Sequence, residues 1–212
     1  MGRLIRWAFL PALACVPALS GCVVAAGGAV LGGAVVATDR RSVGMQIEDA
    51  QIEHRINSAL DDHFTRESVR IDITSFDQKV LIAGQVPHDQ DRTDAAAIAA
   101  GSQDVRQVVN EITIGTMAGL ASRTDDSALV GKVRAALLSI SDLSAGAVKV
   151  SCTDGSIYLF GRVNDHEADV SKRAASRVNG VKRVVALFDI SAEPVPTSAR
   201  AVDAAPAPAA AK

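Results

Sequence analysis

The histidine and acidic side chains of this 212-residue sequence lie at spacings that offer little chemistry. The histidines are His54, His63, His88 and His166. They form no HExxH zinc motif, and no nucleophile motif accompanies them. The paired acids Asp61 and Asp62 are typical of the end of a solvated helix rather than of acid–base catalysis. The sequence therefore predicts a protein that is not an enzyme and that holds no metal and no cofactor.

The sequence does predict a covalent modification at Cys22, because a processing motif precedes it. Arg3 and Arg6 come before an apolar stretch, Trp7 to Leu19, which leads into Ser20-Gly21-Cys22. This pattern resembles the bacterial lipobox, in which the cysteine is acylated and becomes the mature N-terminus. We therefore expect a covalent lipid on Cys22.

The residues after Cys22 predict a tether rather than a membrane span. Val23 to Ala37 is apolar, but it is shorter than the roughly 20 residues that a helix needs to cross a bilayer. Val23, rather than Asp, follows the cysteine, and by resemblance to the bacterial sorting rule this favours the outer membrane. The expectation is a protein anchored by lipid in the outer membrane, with its domains in the periplasm.

The stretch from Ile52 to Ile114 is repeated between Leu129 and Ile190. At an offset of 77 residues, Gly84-Gln85-Val86 aligns on Gly161-Arg162-Val163, and Val108-Val109 aligns on Val184-Val185 at 76. This predicts two small domains of one fold, with one residue lost in the second helix of the repeat. The predicted parts are a signal peptide (1–21), a lipidated tether (22–47), a first domain (48–114), a linker (115–126), a second domain (127–191) and a disordered Ala/Pro tail (192–212).

Hydrophobic periodicity predicts the order α-β-β-α-β in each copy. In the second copy, Asp126 or Ser127 caps a helix, two strands meet at the turn pair Asp154-Gly155, and a second helix precedes the last strand. The predicted fold class is α+β: two tandem αββαβ domains, each with two helices on a three-stranded mixed sheet. Apolar residues remain on the other sheet face, namely Leu81, Ala83, Tyr158 and Phe160, and we expect the two domains to pack on each other there.

Charge divides the two copies. Residues 48–114 contain 6 basic and 13 acidic side chains, a net of -7, whereas residues 127–190 contain 9 basic and 6 acidic, a net of +3. An anionic partner therefore belongs with the second copy. Nucleic acid is not expected, because the chain is acidic overall.

Cys152 alternates with Val148 and Val150, which predicts a buried, inert thiol.

The first helices of the two copies differ along one row of side chains. Glu53, Asn57 and Asp61 are replaced by Val130, Arg134 and Leu138, and residues four apart form one stripe on a helix. An apolar stripe edged by cations suits a helix that rests in the headgroup region of an anionic bilayer. The predicted lipid-binding residues are Val130, Lys132, Arg134, Leu138 and Leu143. The alternative is that Val130 and Leu138 pack on the linker or on the other domain.

The αββαβ pattern of each copy resembles the BON domain, a bacterial module of periplasmic and osmotically induced proteins. The residues that carry the likeness are Gly84/Val86 and Gly161/Val163, the turns Asp104-Val105 and Gly180-Val181, and the valine pairs after them. Together with the lipobox, they make the chain similar to outer-membrane BON lipoproteins. The resemblance implies binding of anionic phospholipid by the first helix of the second domain, support of envelope integrity, and no catalytic residues. An alternative of another class is an envelope adaptor that binds a protein partner through the first domain or the open sheet face.

Overall fold

Two αββαβ domains follow one another along the chain, as the sequence predicts. The structure, a computed structural model, describes residues 39–65, 68–117, 119–144 and 146–191. The elements are α1 Val43–His63, β1 Arg70–Phe76, β2 Lys79–Val86, α2 Asp89–Ala100, β3 Gln107–Ile114, α3 Leu120–Leu138, β4 Lys149–Thr153, β5 Ser156–Val163, α4 Asp165–Ser176 and β6 Arg183–Ile190. In each sheet the middle strand, β2 or β5, pairs antiparallel with the strand before it and parallel with the last strand. The α+β prediction is confirmed.

The repeat extends further back than the sequence suggests. Helices α1 and α3 begin at Val43 and Leu120, which are themselves 77 residues apart, and their N-caps are Ser42 and Gly119. The expected cap at Asp126 or Ser127 is therefore wrong, and α3 begins inside the segment predicted as linker.

The residue that one repeat lacks also lies elsewhere than predicted. Helices α2 and α4 both contain 12 residues and begin at Asp89 and Asp165, already at an offset of 76. Strands β2 and β5 still align at 77, ending at Val86 and Val163. Two residues therefore separate strand from helix in the first domain, and one does so in the second. The extra residue is Pro87, in the turn before α2.

A buried aspartate ties α1 to the hairpin of the first domain. Asp49 accepts hydrogen bonds from the hydroxyl of Ser75 (2.6 Å) and from the turn amides of Asp77 (2.8 Å) and Gln78 (2.9 Å). Both turn residues have positive φ, as a two-residue type I′ hairpin requires. Arg41 completes the cluster at 2.6 Å from the carboxylate, so a charged group satisfies amides that the turn leaves without backbone partners.

The second domain repeats this cluster at an offset of 77. Asp126, on α3, accepts hydrogen bonds from the amides of Asp154 (3.0 Å) and Gly155 (2.8 Å) and from the thiol of Cys152 (3.3 Å). Its cation is Arg70, which belongs to the first domain and lies 2.8 Å away. Both side chains of this ion pair are less than a tenth exposed. We call the two arrangements the Asp49 cluster and the Asp126 cluster.

The two sheets pack face to face through the apolar residues that the helices leave uncovered. Phe76, Leu81, Ala83, Tyr158 and Phe160 form one buried cluster, in which the rings of Phe76 and Phe160 stack at 6.1 Å. The prediction that the domains pack on each other through this face is confirmed.

Ion pairs surround this interface, and they run in both directions between the domains. They are Glu53–Lys149 (2.9 Å), Asp77–Arg162 (2.8 Å), Glu111–Arg183 (2.6 Å), Lys79–Asp189 (2.7 Å) and Arg70–Asp126 (2.8 Å). In three of the five, an acid of the first domain meets a base of the second. Glu53 is therefore half-buried at the interface, so the row of side chains that it begins on α1 is not fully exposed to solvent.

Replacing Asp126 by Asn removes the charge that Arg70 and the two turn amides face. We expect the free energy of unfolding to fall by about 3 kcal/mol, because removing one partner of a buried ion pair leaves the other charge uncompensated. Urea denaturation of residues 23–212 measures the change. The control is Asp125→Asn, an exposed neighbour, for which we expect a change within about 0.5 kcal/mol. Equal losses at the two positions would contradict the role assigned to Asp126.

Candidate functional site

The outward side of α3 carries three of the side chains that the sequence singles out. Lys132, Arg134 and Leu138 are exposed, and Leu138 is 60% exposed. At 3.6 residues per turn, Leu138 forms a row with Gly131 and Ala135, and the two cations lie on either side of this row. Within the described part of the chain, neither cation has an anionic partner. We call these five residues the α3 face.

Val130 and Leu143, which the sequence assigns to the same surface, lie elsewhere. Val130 is half-buried, packs on the core of the second domain and lines a cleft between the domains. Leu143 is 8% exposed and belongs to that core. The four-residue spacing placed Val130 on one stripe with Leu138, but Val130 packs on the core of its own domain and faces the interdomain cleft. Leu143 packs inward after the helix ends, so neither side chain offers its surface to a bilayer.

A cavity of about 340 Å³ opens beside the end of α3. Arg41, Arg134, Leu138, Leu143 and Lys149 are among the residues that line it. It therefore combines an aliphatic wall with three cations. Two of these cations are already paired, Arg41 with acids of its own domain and Lys149 with Glu53. No sequence pattern indicated this cavity, because part of its wall comes from the segment that precedes α1.

That segment is fixed to both domains. The guanidinium of Arg40 donates two hydrogen bonds to the carboxylate of Glu167 (2.6 and 2.8 Å) and one to the carbonyl of Arg162 (2.6 Å) in the second domain. Arg41 pairs with Asp49 in the first domain. Residues 39–47 thus belong to the folded unit and not to the tether predicted over 22–47. Cys22, the signal peptide and the tail lie outside the described residues.

A second cavity, of about 610 Å³, is the repeat-related counterpart of the first. It lies between the end of α1 and the start of α3, and Leu60 and Asp61 occupy the places that Leu137 and Leu138 occupy in the other. Arg70 lines this interdomain cleft, and its Nη1 is buried without a partner among the described residues. Sequence reasoning missed the cleft, although the offset of 77 would have located it once the first cavity was known.

Cys152, at the wall of this cleft, is half-buried. Burial, followed by the hydrogen bond to the carboxylate of Asp126, raises the pKa of the thiol to about 12. A thiol with that pKa is almost entirely protonated at neutral pH and is therefore a poor nucleophile. The geometry agrees with the inert role that the sequence suggests.

Over the described ranges, no three His, Cys, Asp or Glu side chains come together as a metal site would require. None of the helices in these ranges has the length and hydropathy needed to cross a membrane.

Three buried carboxylates accept hydrogen bonds from arginines of other segments of the folded unit. Burial alone would raise the pKa values of Asp49, Asp126 and Glu167, but the hydroxyl, thiol, amide and arginine donors around them outweigh burial. Each pKa therefore lies below its ordinary value. All three groups are therefore ionised at neutral pH.

The chain is similar to several known proteins. The chain matches the BON domain twice, at residues 48–116 and 125–192. It is 35% identical to the outer membrane lipoprotein DolP of Haemophilus influenzae over 173 residues, which is 80% of this chain and 89% of that protein. It is 32% identical to a 21 kDa hemolysin of Actinobacillus pleuropneumoniae, covering 71% and 78%. Identity to the osmotically-inducible protein Y of Escherichia coli is 28%, covering 72% and 77%.

The lowered pKa values set the acid limit of the fold. A carboxyl whose folded pKa is depressed contributes stability above its unfolded pKa and loses it as the pH falls through the folded value. We expect the free energy of unfolding to be steady above about pH 5 and to fall progressively below it. Urea denaturation at a series of pH values measures this. The double variant Asp49→Asn/Glu167→Gln should be less stable at pH 7 and have a shallower slope below pH 5. An unchanged slope would show that other groups control acid unfolding.

Proposed function

The chain belongs to the BON domain family, and we propose that it is an outer-membrane lipoprotein whose second domain binds anionic phospholipid and so supports envelope integrity. Its role on this proposal is binding, without catalysis. The anchor is the lipid on Cys22, in a motif that resembles the lipobox. The likeness to a relative named as an outer membrane lipoprotein, over four fifths of this chain, supports the location.

The observation that carries the lipid proposal is the exposed side chain of Leu138 between two cations. A 60% exposed leucine at the end of a helix gains free energy when its surface leaves water. Lys132 and Arg134 have no anionic partner within the described part of the chain, so their attraction for lipid phosphates is not neutralised inside the protein. Near an anionic surface, each contributes about 1 kcal/mol.

The lipid anchor makes so small a surface sufficient. A free domain with two cations and one aliphatic side chain would bind a bilayer only weakly. A domain tethered to the same bilayer is present at a high effective concentration, so contacts of this size are populated. Arg134 and Leu138 also line the cavity beside α3, which leaves space next to them for part of a headgroup.

The alternative function, an adaptor for an envelope protein, has one observation in its favour. The sheet face proposed for it is buried between the domains, which removes that part of the hypothesis. The interdomain cleft remains, with Arg70 Nη1 lacking a hydrogen-bond acceptor among the described residues. A binding partner that enters the cleft could supply one. This candidate gains if the lipid tests below fail.

Vesicle binding tests the lipid proposal directly. The soluble chain of residues 23–212 should sediment with phosphatidylglycerol vesicles, less so as salt rises, and not with phosphatidylcholine vesicles. Both domains are needed, since a cut at Ser127 would remove Asp126 and the first turns of α3. The variant Arg134→Glu/Leu138→Glu should lose at least about thirtyfold in affinity, because converting one cation to an anion alone is worth about 2 kcal/mol.

The matched control for this variant is Arg106→Glu/Ile114→Glu. Both of its positions are exposed in the first domain, Ile114 is 52% exposed, and the change in charge and hydrophobicity is the same. We expect the control to bind within about threefold of the parent, the size of long-range charge effects alone. Equal losses in the two double variants would reduce the binding to net charge and remove the α3 face as the contact.

Loss of the protein should weaken the outer-membrane barrier if it supports the envelope. We expect a deletion strain to become sensitive to detergent and to vancomycin, and expression of the parent chain to restore resistance. The Arg134→Glu/Leu138→Glu chain should restore less than its matched control at equal protein level. A deletion strain with a normal barrier would contradict the role in envelope integrity.

A further inference from the structure

The start of α1 displays two large aliphatic side chains to solvent. Val43 is 61% and Ile47 54% exposed. Four residues apart on a helix, they lie on one row. The next exposed residues along α1 are the small Ala50 and the polar Gln51 and His54, so the large apolar side chains are confined to the first turns. The apolar surface that a partner could cover is therefore at the tip of α1 and does not extend along the helix.

This tip lies beside the surface proposed to contact lipid. Gln46, one row away from Val43, lines the same cavity as Arg134 and Leu138 of α3. The repeat gives a second indication. The counterpart of Leu138 is Asp61, and Asp61 is 18 residues, or five helical turns, beyond Val43. Val43 and Leu138 thus occupy the same row of two equivalent helices that border one cavity.

The chain outside the described residues ends at this place. Arg40 and Arg41 fix residues 39–42 to both domains, and Val43 follows at once. The 17 residues from Cys22 to Thr38 can span at most about 60 Å, at roughly 3.6 Å per residue. On the proposed lipidation of Cys22, this length keeps the lipid surface within reach of Val43 and Ile47.

We propose that the first domain also contacts the bilayer, through Val43 and Ile47, so that the protein rests on the lipid surface at the tip of α1 and at the α3 face together. This inference rests on the proposed function. Because the two domains share a buried apolar cluster and several ion pairs, the two contacts belong to one rigid unit. Two contacts fix its orientation, whereas the α3 face alone would leave it free to rotate about one helix.

Tryptophan provides a position-specific probe, since Trp7, in the predicted signal peptide, is the sole tryptophan of the sequence. The lipidated mature chain is placed in phosphatidylglycerol vesicles containing brominated lipid, with one tryptophan introduced at a time. We expect quenching and a blue shift for Ile47→Trp and Leu138→Trp. Ile114→Trp, a comparably exposed isoleucine at the end of β3, should show neither. Urea denaturation of each variant verifies the fold.

The outcomes separate the two proposals. Quenching at position 47 and not at 114 supports the contact at α1. Quenching at 138 with position 47 no different from 114 overturns it and leaves the proposed function intact. Quenching at 47 without 138 supports the contact at α1 and contradicts the α3 face. If neither 47 nor 138 is quenched, both proposals fail.

An affinity measurement on the soluble chain of residues 23–212 tests the same surface without the anchor. We expect Val43→Ser/Ile47→Ser to weaken binding to phosphatidylglycerol vesicles about tenfold, since two partly exposed aliphatic side chains no longer leave water. The control is Ile114→Ser/Ile190→Ser, which alters two isoleucines that are each 52% exposed at the ends of β3 and β6. A loss no greater than that of the control would overturn the contact.

Discussion

In each domain, one buried aspartate connects the first helix to the hairpin turn, and the source of its arginine determines how the whole molecule is assembled. The carboxylate satisfies two turn amides, which the backbone cannot do in so tight a turn. A buried carboxylate also requires a cation, because its desolvation is costly. The Asp49 cluster takes Arg41 from the segment before α1, and the Asp126 cluster takes Arg70 from the other domain. The same local requirement thus attaches the segment before α1 to the first domain and the first domain to the second.

This arrangement changes the meaning of the charge difference between the copies. Taken from the sequence, a net of -7 against +3 indicates different partners. In the structure, acids of the first domain pair with Lys149, Arg162 and Arg183 of the second, so three of the nine bases counted in the second domain are used between the domains. The informative cations are those left over, above all Lys132 and Arg134 on α3. On the proposed function, the attraction for lipid therefore depends on the local arrangement of these cations on one helix rather than on the net charge of the domain.

The repeat and the alternation of apolar residues predicted the fold, because both reflect contacts within a domain of about 65 residues. They also predicted the docked sheet faces, since an apolar face must be covered. The starts of α1 and α3 were missed because their first turns contain few buried residues, and Val43 and Ile47 point to solvent. The role of Glu53 could not be predicted, because it depends on where the other domain lies. Of the residues assigned to the lipid contact, the sequence identified the exposed Lys132, Arg134 and Leu138. It misplaced Val130 and Leu143, which pack on the core of the second domain.

The order of these contacts along the chain has a physical consequence for binding. A tether attached only to the start of a domain would let the domain take any orientation toward the bilayer, and the α3 face would meet lipid in a fraction of them. Arg40 bound to Glu167 instead fixes the exit of the tether against the second domain, near the end of α3. The point where the tether begins then lies beside the end of α3, next to the α3 face, because Asp39 lines the same cavity as Leu138. On the proposed function, the tether therefore holds the α3 face near the bilayer, where a contact of a few kcal/mol from one leucine and two cations is sufficient.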